Sequence, residues 1–129
     1  MFYRFDEDIT GGLEAIEQTV SNILNETKLI INDEDLLFDL RLVLNELLIN
    51  AHEHGNKQDK DKFLHVCLVI DDIELKLRIK DEGEGLCLEG YNYNCKELNS
   101  HGRGLLIVEK LTDCFQVEDN VVRCIFNRA

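Results

Sequence analysis

Glu46 and Asn50 stand four residues apart in the run Glu46-Leu47-Leu48-Ile49-Asn50-Ala51-His52-Glu53-His54-Gly55. On a helix, side chains at i and i+4 share one face, so this carboxylate and carboxamide can work on one phosphate-bound metal ion. An asparagine carbonyl is a hard oxygen ligand suited to Mg²⁺, and a nearby carboxylate can take a proton from an attacking hydroxyl. A second cluster, Asp81-Glu82-Gly83-Glu84-Gly85, sets an acid beside two glycines. An aspartate so placed can accept a hydrogen bond from an exocyclic amine while glycine lets the backbone approach a flat base, a combination that selects adenine over guanine. A third run, His101-Gly102-Arg103-Gly104-Leu105, puts glycines ahead of an apolar helical pattern. Free backbone N–H groups and the helix dipole attract phosphate at such a point.

Each run also has a plainer use. An isolated E-x-x-x-N spacing marks solvated helix residues more often than a ligand pair. D-x-G-x-G alone is most often a turn after a strand. Gly102-Arg103-Gly104 lacks the Gly-Lys-Ser or Gly-Lys-Thr of a P-loop and the βαβ unit of the dinucleotide fingerprint. Arg103 is open between contact with phosphate and capping of a surface loop. His52 and His54 are two residues apart, the wrong spacing for one helix face, which speaks against a histidine metal site.

The elements that must carry these residues follow from periodicity. Phe2 to Phe5 reads as a short strand, followed by a helix capped at Thr10 with Leu13, Ile16, Val20 and Ile23 at helical spacing. A second helix starts near Asn32 or Asp33, buries Leu36, Leu40, Val43, Leu47 and Ala51, and stops at Gly55. Glu46 and Asn50 fall at the border of that stripe, where polar side chains look into a crevice. A polar loop over 56–62 leads to a strand from Phe63 to Ile70 and a tight connection at Asp71-Asp72. Ile73, Leu75, Leu77 and Ile79 then alternate with charged residues, a half-buried strand that delivers Asp81. A loop occupies 86–100, a short helix carries Leu105, Val108 and Leu111, and a hairpin joins Cys114–Glu118 to Val121–Asn127 through Asp119-Asn120. The outline is a mixed sheet covered on one face by helices.

Composition bounds the rest. At 129 residues with 44% apolar content the chain fits a single domain, residues 1–129. Its formal charge of -12 opposes direct binding to nucleic acid and suits protein partners with basic surfaces, although an acidic balance alone more often marks only a well-solvated domain. The acidic start lacks the apolar core of a signal peptide, and no run is long enough for a membrane span, so the expected address is the cytoplasm. Five cysteines, with no C-x-x-C pair, read as reduced thiols.

Taken in order, N-E-L-L-I-N-A-H-E-H-G-N, D-E-G-E-G and H-G-R-G-L-L-I-V-E-K-L-T-D resemble the N, G1 and G2 boxes of GHKL ATPases, most closely those of bacterial anti-sigma factor serine-protein kinases. The resemblance implies a Bergerat fold, an α/β (α+β) two-layer sandwich with a mixed, mainly antiparallel sheet, that binds ATP with Mg²⁺. It implies Asn50 as metal ligand, Glu46 as catalytic base and Asp81 on the adenine amine. His54, Gly83 and Gly85 would line the nucleotide site, and Gly102, Arg103, Gly104 and Leu105 the phosphate lid. It further implies a homodimer that sequesters a sigma factor and phosphorylates a serine of an anti-sigma antagonist protein. Two alternatives share the fold: an ATP-dependent binding module without kinase activity, and a stand-alone histidine-kinase-like catalytic domain. One departure stands out. The family's last strand often begins with Gly-Thr, whose hydroxyl supports the adenine-binding acid, and Asp119-Asn120 occupies that place here, which makes adenine affinity the property to test.

Overall fold

The computed structural model describes residues 2–83 and 103–128. Strand β1 (Tyr3–Ile9) leads to helix α1 (Leu13–Thr27), helix α2 (Glu34–Asn50) and a π-helical turn (Ala51–Gly55). Strands β2 (Leu64–Ile70) and β3 (Glu74–Lys80) follow, then helix α3 (Arg103–Leu111) and the hairpin β4 (Cys114–Glu118) and β5 (Val121–Asn127). The sheet runs β1-β2-β3-β5-β4. Every pairing among the described residues is antiparallel, so the parallel component expected of a mixed sheet is absent there.

Pleating sorts the strands into two faces. Leu68 lies opposite Leu77, and Leu77 opposite Cys124, on the face that meets the helices. Those residues join Ile23, Leu40, Val43, Leu44 and Leu48 in one core. The other face carries Cys67, Arg78 and Arg123 in register. Helix α2 contacts both α1 and α3, which makes it the central helix of the covering layer. Tyr3 ties β1 to the last turn of α1 by donating its hydroxyl to Glu26 Oε1 at 2.5 Å. No helix among the described residues is long and apolar enough to cross a membrane.

Helix α2 begins as its sequence predicts: the Asp33 carboxylate accepts from the amides of Asp35 (3.0 Å) and Leu36 (3.2 Å), satisfying two of the donors left open at a helix start. Helix α1 does not begin at Thr10. Gly11 and Gly12 adopt φ of 113° and 73°, and the Gly12 carbonyl accepts the first helical bond, from Ile16 at 3.0 Å. The Gly11 amide donates to Lys60 of the distant polar loop, so a tertiary contact sets the entry angle. Leu13, expected inside, is 53% exposed at the resulting helix start. Ile73 is likewise outside the core at 66% exposure, because it belongs to the turn before β3. In that turn Asp71 Oδ1 accepts from the amides of Ile73 and Glu74, both at 2.8 Å. Those bonds, that of Glu74 first, hold the Asp71 carboxyl below the usual carboxylate range.

Candidate functional site

Glu46 and Asn50 sit half-buried in the last two turns of α2, one helical turn apart. Beyond Asn50 the helix widens: the Asn56 amide donates to the Ala51 carbonyl at 2.8 Å, an i→i+5 bond. Such π-turns recur at functional sites, where the additional residue re-aims the chain. Here the widening carries His52 into the interior, leaves His54 exposed, and delivers Gly55 to the end of β3.

At that end stands Asp81, 9% exposed. Its carboxylate packs directly on the Gly55 backbone. A Cβ on Gly55 would lie 2.1 Å from Asp81 Oδ2 and 2.3 Å from Cγ, closer than any real contact. A Cβ on Gly83 would lie 2.1 Å from the Gly55 carbonyl oxygen and 2.9 Å from Asp81 Oδ1. Neither glycine has positive φ, so both are needed for close approach and not for an unusual backbone. Asp81 Oδ1 accepts from the Gly83 amide at 2.7 Å. Burial pushes the Asp81 carboxyl above the usual carboxylate range, against the opposing pull of that amide and of the Lys62 charge.

Two asparagines hold this turn, Asn56 directly after Gly55 and Asn120 at the place where Gly-Thr is often found. Asn56, fully buried, donates from Nδ2 to the Phe63 carbonyl (3.0 Å) and accepts at Oδ1 from the Glu82 amide (2.8 Å). Asn120, in the β4–β5 turn, donates from Nδ2 to the Asp81 carbonyl (2.5 Å), and its own carbonyl accepts from the Asp81 amide (3.1 Å). Glu82 adds a carboxylate bond to the Phe63 amide at 2.6 Å. Residue type alone gives Asn56 no role, and Asn120 stands out only as half of the Asp119-Asn120 pair in place of Gly-Thr; asparagine after a helix or in a hairpin turn is otherwise ordinary turn chemistry.

Asn50 bears on metal binding. Its Nδ2 is buried and has no hydrogen-bond partner among the described residues. A buried amide left unpaired costs about 1–3 kcal/mol, and such exceptions concentrate where function requires them. An unpaired N–H donor calls for an acceptor, such as a phosphate or water oxygen, while the Oδ1 of the same carboxamide is the hard oxygen donor suited to Mg²⁺. Among the described residues no group of three or more His, Cys, Asp or Glu side chains forms a protein-only metal cage. Mg²⁺ characteristically keeps several waters and is held by only one or two protein oxygens plus phosphate, so that is compatible with this donor set.

The three motifs meet only in part. Gly55, Asp81 and Gly83 interlock, and α3, which opens at Arg103, packs on α2. Leu105 is buried in the shared core beside Val108. Gly85 and Gly102 lie outside the described residues, as do the side-chain surroundings of positions 103 and 104 and the loop over 86–100. Residues 12–126 match the model of the histidine kinase-like ATPase domain. The chain belongs to that family. The match covers the helical layer, the turn at Asp81 and the final hairpin. Among individual proteins the domain is 33% identical over 92 residues to the anti-sigma F factor of Geobacillus sp. (strain WCH70), covering 67% of this chain and 63% of that one. It is 29% identical over 85 residues to the anti-sigma F factor of Clostridium acetobutylicum, covering 62% and 59% respectively. The aligned region thus spans about three fifths of the length of the curated relatives it matches.

Proposed function

We propose that this domain binds Mg-ATP and acts as an anti-sigma regulator, sequestering a sigma factor and phosphorylating a serine of an antagonist protein. The observation that carries the nucleotide reading is the interlock of Asp81 with Gly55 and Gly83, which aims one buried carboxylate beside two stretches of bare backbone. That is the environment a flat base with an exocyclic amine requires. The regulatory part rests on the anti-sigma F factors that the domain resembles.

In this reading Asp81 accepts from the adenine amine, and the backbone at Gly83 and Gly85 makes room for the ring. Asn50 holds Mg²⁺, with His54 at the rim of the nucleotide site. Gly102, Arg103 and Gly104 approach the phosphates, with Leu105 anchoring the start of α3 in the core. The metal, when bound, neutralises charge on the phosphates. Glu46 takes the proton from the partner's serine hydroxyl as that oxygen bonds to the terminal phosphorus and the bond from that phosphorus to the β-phosphate oxygen breaks, releasing ADP; the base contributes about 10²–10⁴-fold to the rate. Positioning and charge stabilisation supply the remainder. Sequestration takes place in the cytoplasm with the regulator as a homodimer.

Calorimetry with ATP and GTP in the presence of Mg²⁺ tests the pocket: tighter binding of ATP is expected, and equal affinities would remove Asp81 from its role. A phosphotransfer assay with candidate antagonists tests the chemistry. Glu46→Gln preserves size and removes the base, so it should bind ATP normally and transfer phosphate at least a hundredfold more slowly. Transfer at the wild-type rate excludes Glu46 as the base. An acid-labile product would point to a phosphorylated histidine instead of serine. ATP and sigma binding without any transfer would leave a nucleotide-dependent binding module.

A further inference from the structure

The turn that presents Asp81 is held from outside itself. Counting along the main chain, the Asp81 amide bonds the Asn120 carbonyl, the Asp81 carbonyl bonds Asn120 Nδ2, and the Glu82 amide bonds Asn56 Oδ1. The Gly83 amide closes back on Asp81 Oδ1. Four polar main-chain groups across three residues are thereby satisfied, three of them by two asparagines from other parts of the chain. The chemistry of each position is specific. Asn56 donates and accepts at once, which a carboxylate of the same size cannot do. At position 120 the side chain must donate to a carbonyl, and an aspartate there would set acceptor against acceptor.

We propose that Asn56 and Asn120 are positioning residues for base recognition: by fixing the main chain on both sides of Asp81 they aim its carboxylate, so affinity for the base depends on two carboxamides that do not touch the nucleotide. This rests on the reading of Asp81 as the acceptor for the adenine amine. The physical requirement is that a recognition group be held to within about 0.5 Å by its supporting shell. Asp81 has no slack, since Gly55 and Gly83 already crowd its carboxylate. A shift of its main chain can only turn the carboxylate away from the base or press it into Gly55.

The test is a double-mutant cycle read by calorimetry, with Mg-ADP and magnesium pyrophosphate as ligands. Asn120→Ala is measured alone and with Asp81→Asn. Asn120→Ala should weaken ADP binding by about 3- to 10-fold, the value of one hydrogen bond, and leave pyrophosphate binding unchanged. In the Asp81→Asn background it should cost nothing further for ADP, because there is no carboxylate left to aim. Asn56→Ala should follow the same pattern. Since it removes two bonds from a buried site it can fail to fold, in which case Asn120→Ala, at the half-buried hairpin tip, decides alone. An equal loss for both ligands, an undiminished loss in the Asp81→Asn background, or no loss at all would each overturn the proposal. A wild-type protein that binds ADP no better than pyrophosphate would instead remove the reading of Asp81, and this inference with it.

Discussion

Replacing Gly55 by alanine tests the interlock most directly. The added Cβ would stand 2.1 Å from Asp81 Oδ2, 2.3 Å from Cγ and 2.8 Å from Oδ1, so something must give. One response is rotation of the Asp81 carboxylate, which breaks its bond to the Gly83 amide, a charged hydrogen bond worth about 1.5–3 kcal/mol. The other is retreat of the π-helical turn from the end of β3, an overpacking cost of about 1–3 kcal/mol. The two routes agree on about 2 kcal/mol. At about 2.1 cal/mol/K of unfolding entropy per residue, 129 residues translate this into a fall of roughly 7 °C in melting temperature. If the carboxylate rotates, ADP affinity falls as well, by about tenfold or more. Gly83→Ala supplies the internal control. Its Cβ meets the Gly55 carbonyl oxygen at 2.1 Å, and a backbone oxygen cannot swing aside, so this variant should be the less stable of the two. Thermal melts and ADP calorimetry on both proteins make the comparison. A Gly55→Ala protein that melts with the wild type and binds ADP equally well would refute the steric argument.

Three further outcomes are expected. The raised Asp81 pKa is a stability penalty: the folded state holds the proton more tightly than the unfolded chain, so stability falls as pH rises from the ordinary aspartate value of 3.8 through the higher folded value. Asp81→Asn should therefore melt above the wild type at neutral pH while binding ADP more weakly, and the melting difference should shrink below pH 3.8; a variant less stable at neutral pH contradicts the sign. Asn50→Ala should weaken nucleotide binding in the presence of Mg²⁺ more than in its absence, which paired titrations with and without a chelator would resolve; equal losses would count against a metal ligand. Finally, burial pushes the Cys124 thiol up to about 12 while Cys114 is exposed, so iodoacetamide at pH 8 followed by peptide mapping should label Cys114 well before Cys124.

How far the fold was legible depended on whether its causes were local. Strands β4 and β5 occupy the residues expected of a hairpin around Asp119-Asn120, and α2 starts at the aspartate whose side chain caps it. Where a distant contact decides, local pattern misleads. Thr10 is a respectable cap residue, yet the chain, tied by the bond from Gly11 to Lys60, places the cap at Gly12, two residues later. The π-helical widening after Asn50 leaves no periodic trace at all. In the candidate site, Asp81 and its glycines could be singled out by residue type, whereas Asn56 could not, and Asn120 stood out only as a departure from Gly-Thr with no bond assigned to it. Their partners are 26 and 39 residues away, and such bonds impose no spacing on the sequence.

Those separations also order events in time. The turn at Asp81 takes its shape from Gly55 and Asn56 on one side and from Asn120 on the other, so it cannot be completed until the end of α2, the end of β3 and the last hairpin have all come together. Helix and hairpin form from local contacts in microseconds, but contacts across such stretches of chain must first meet the entropy of closing large loops. A refolding chain should thus regain its helical signal before its capacity for adenine nucleotide. Nucleotide added during folding would act only on the finished molecule, drawing the equilibrium toward it by mass action without speeding the earlier steps.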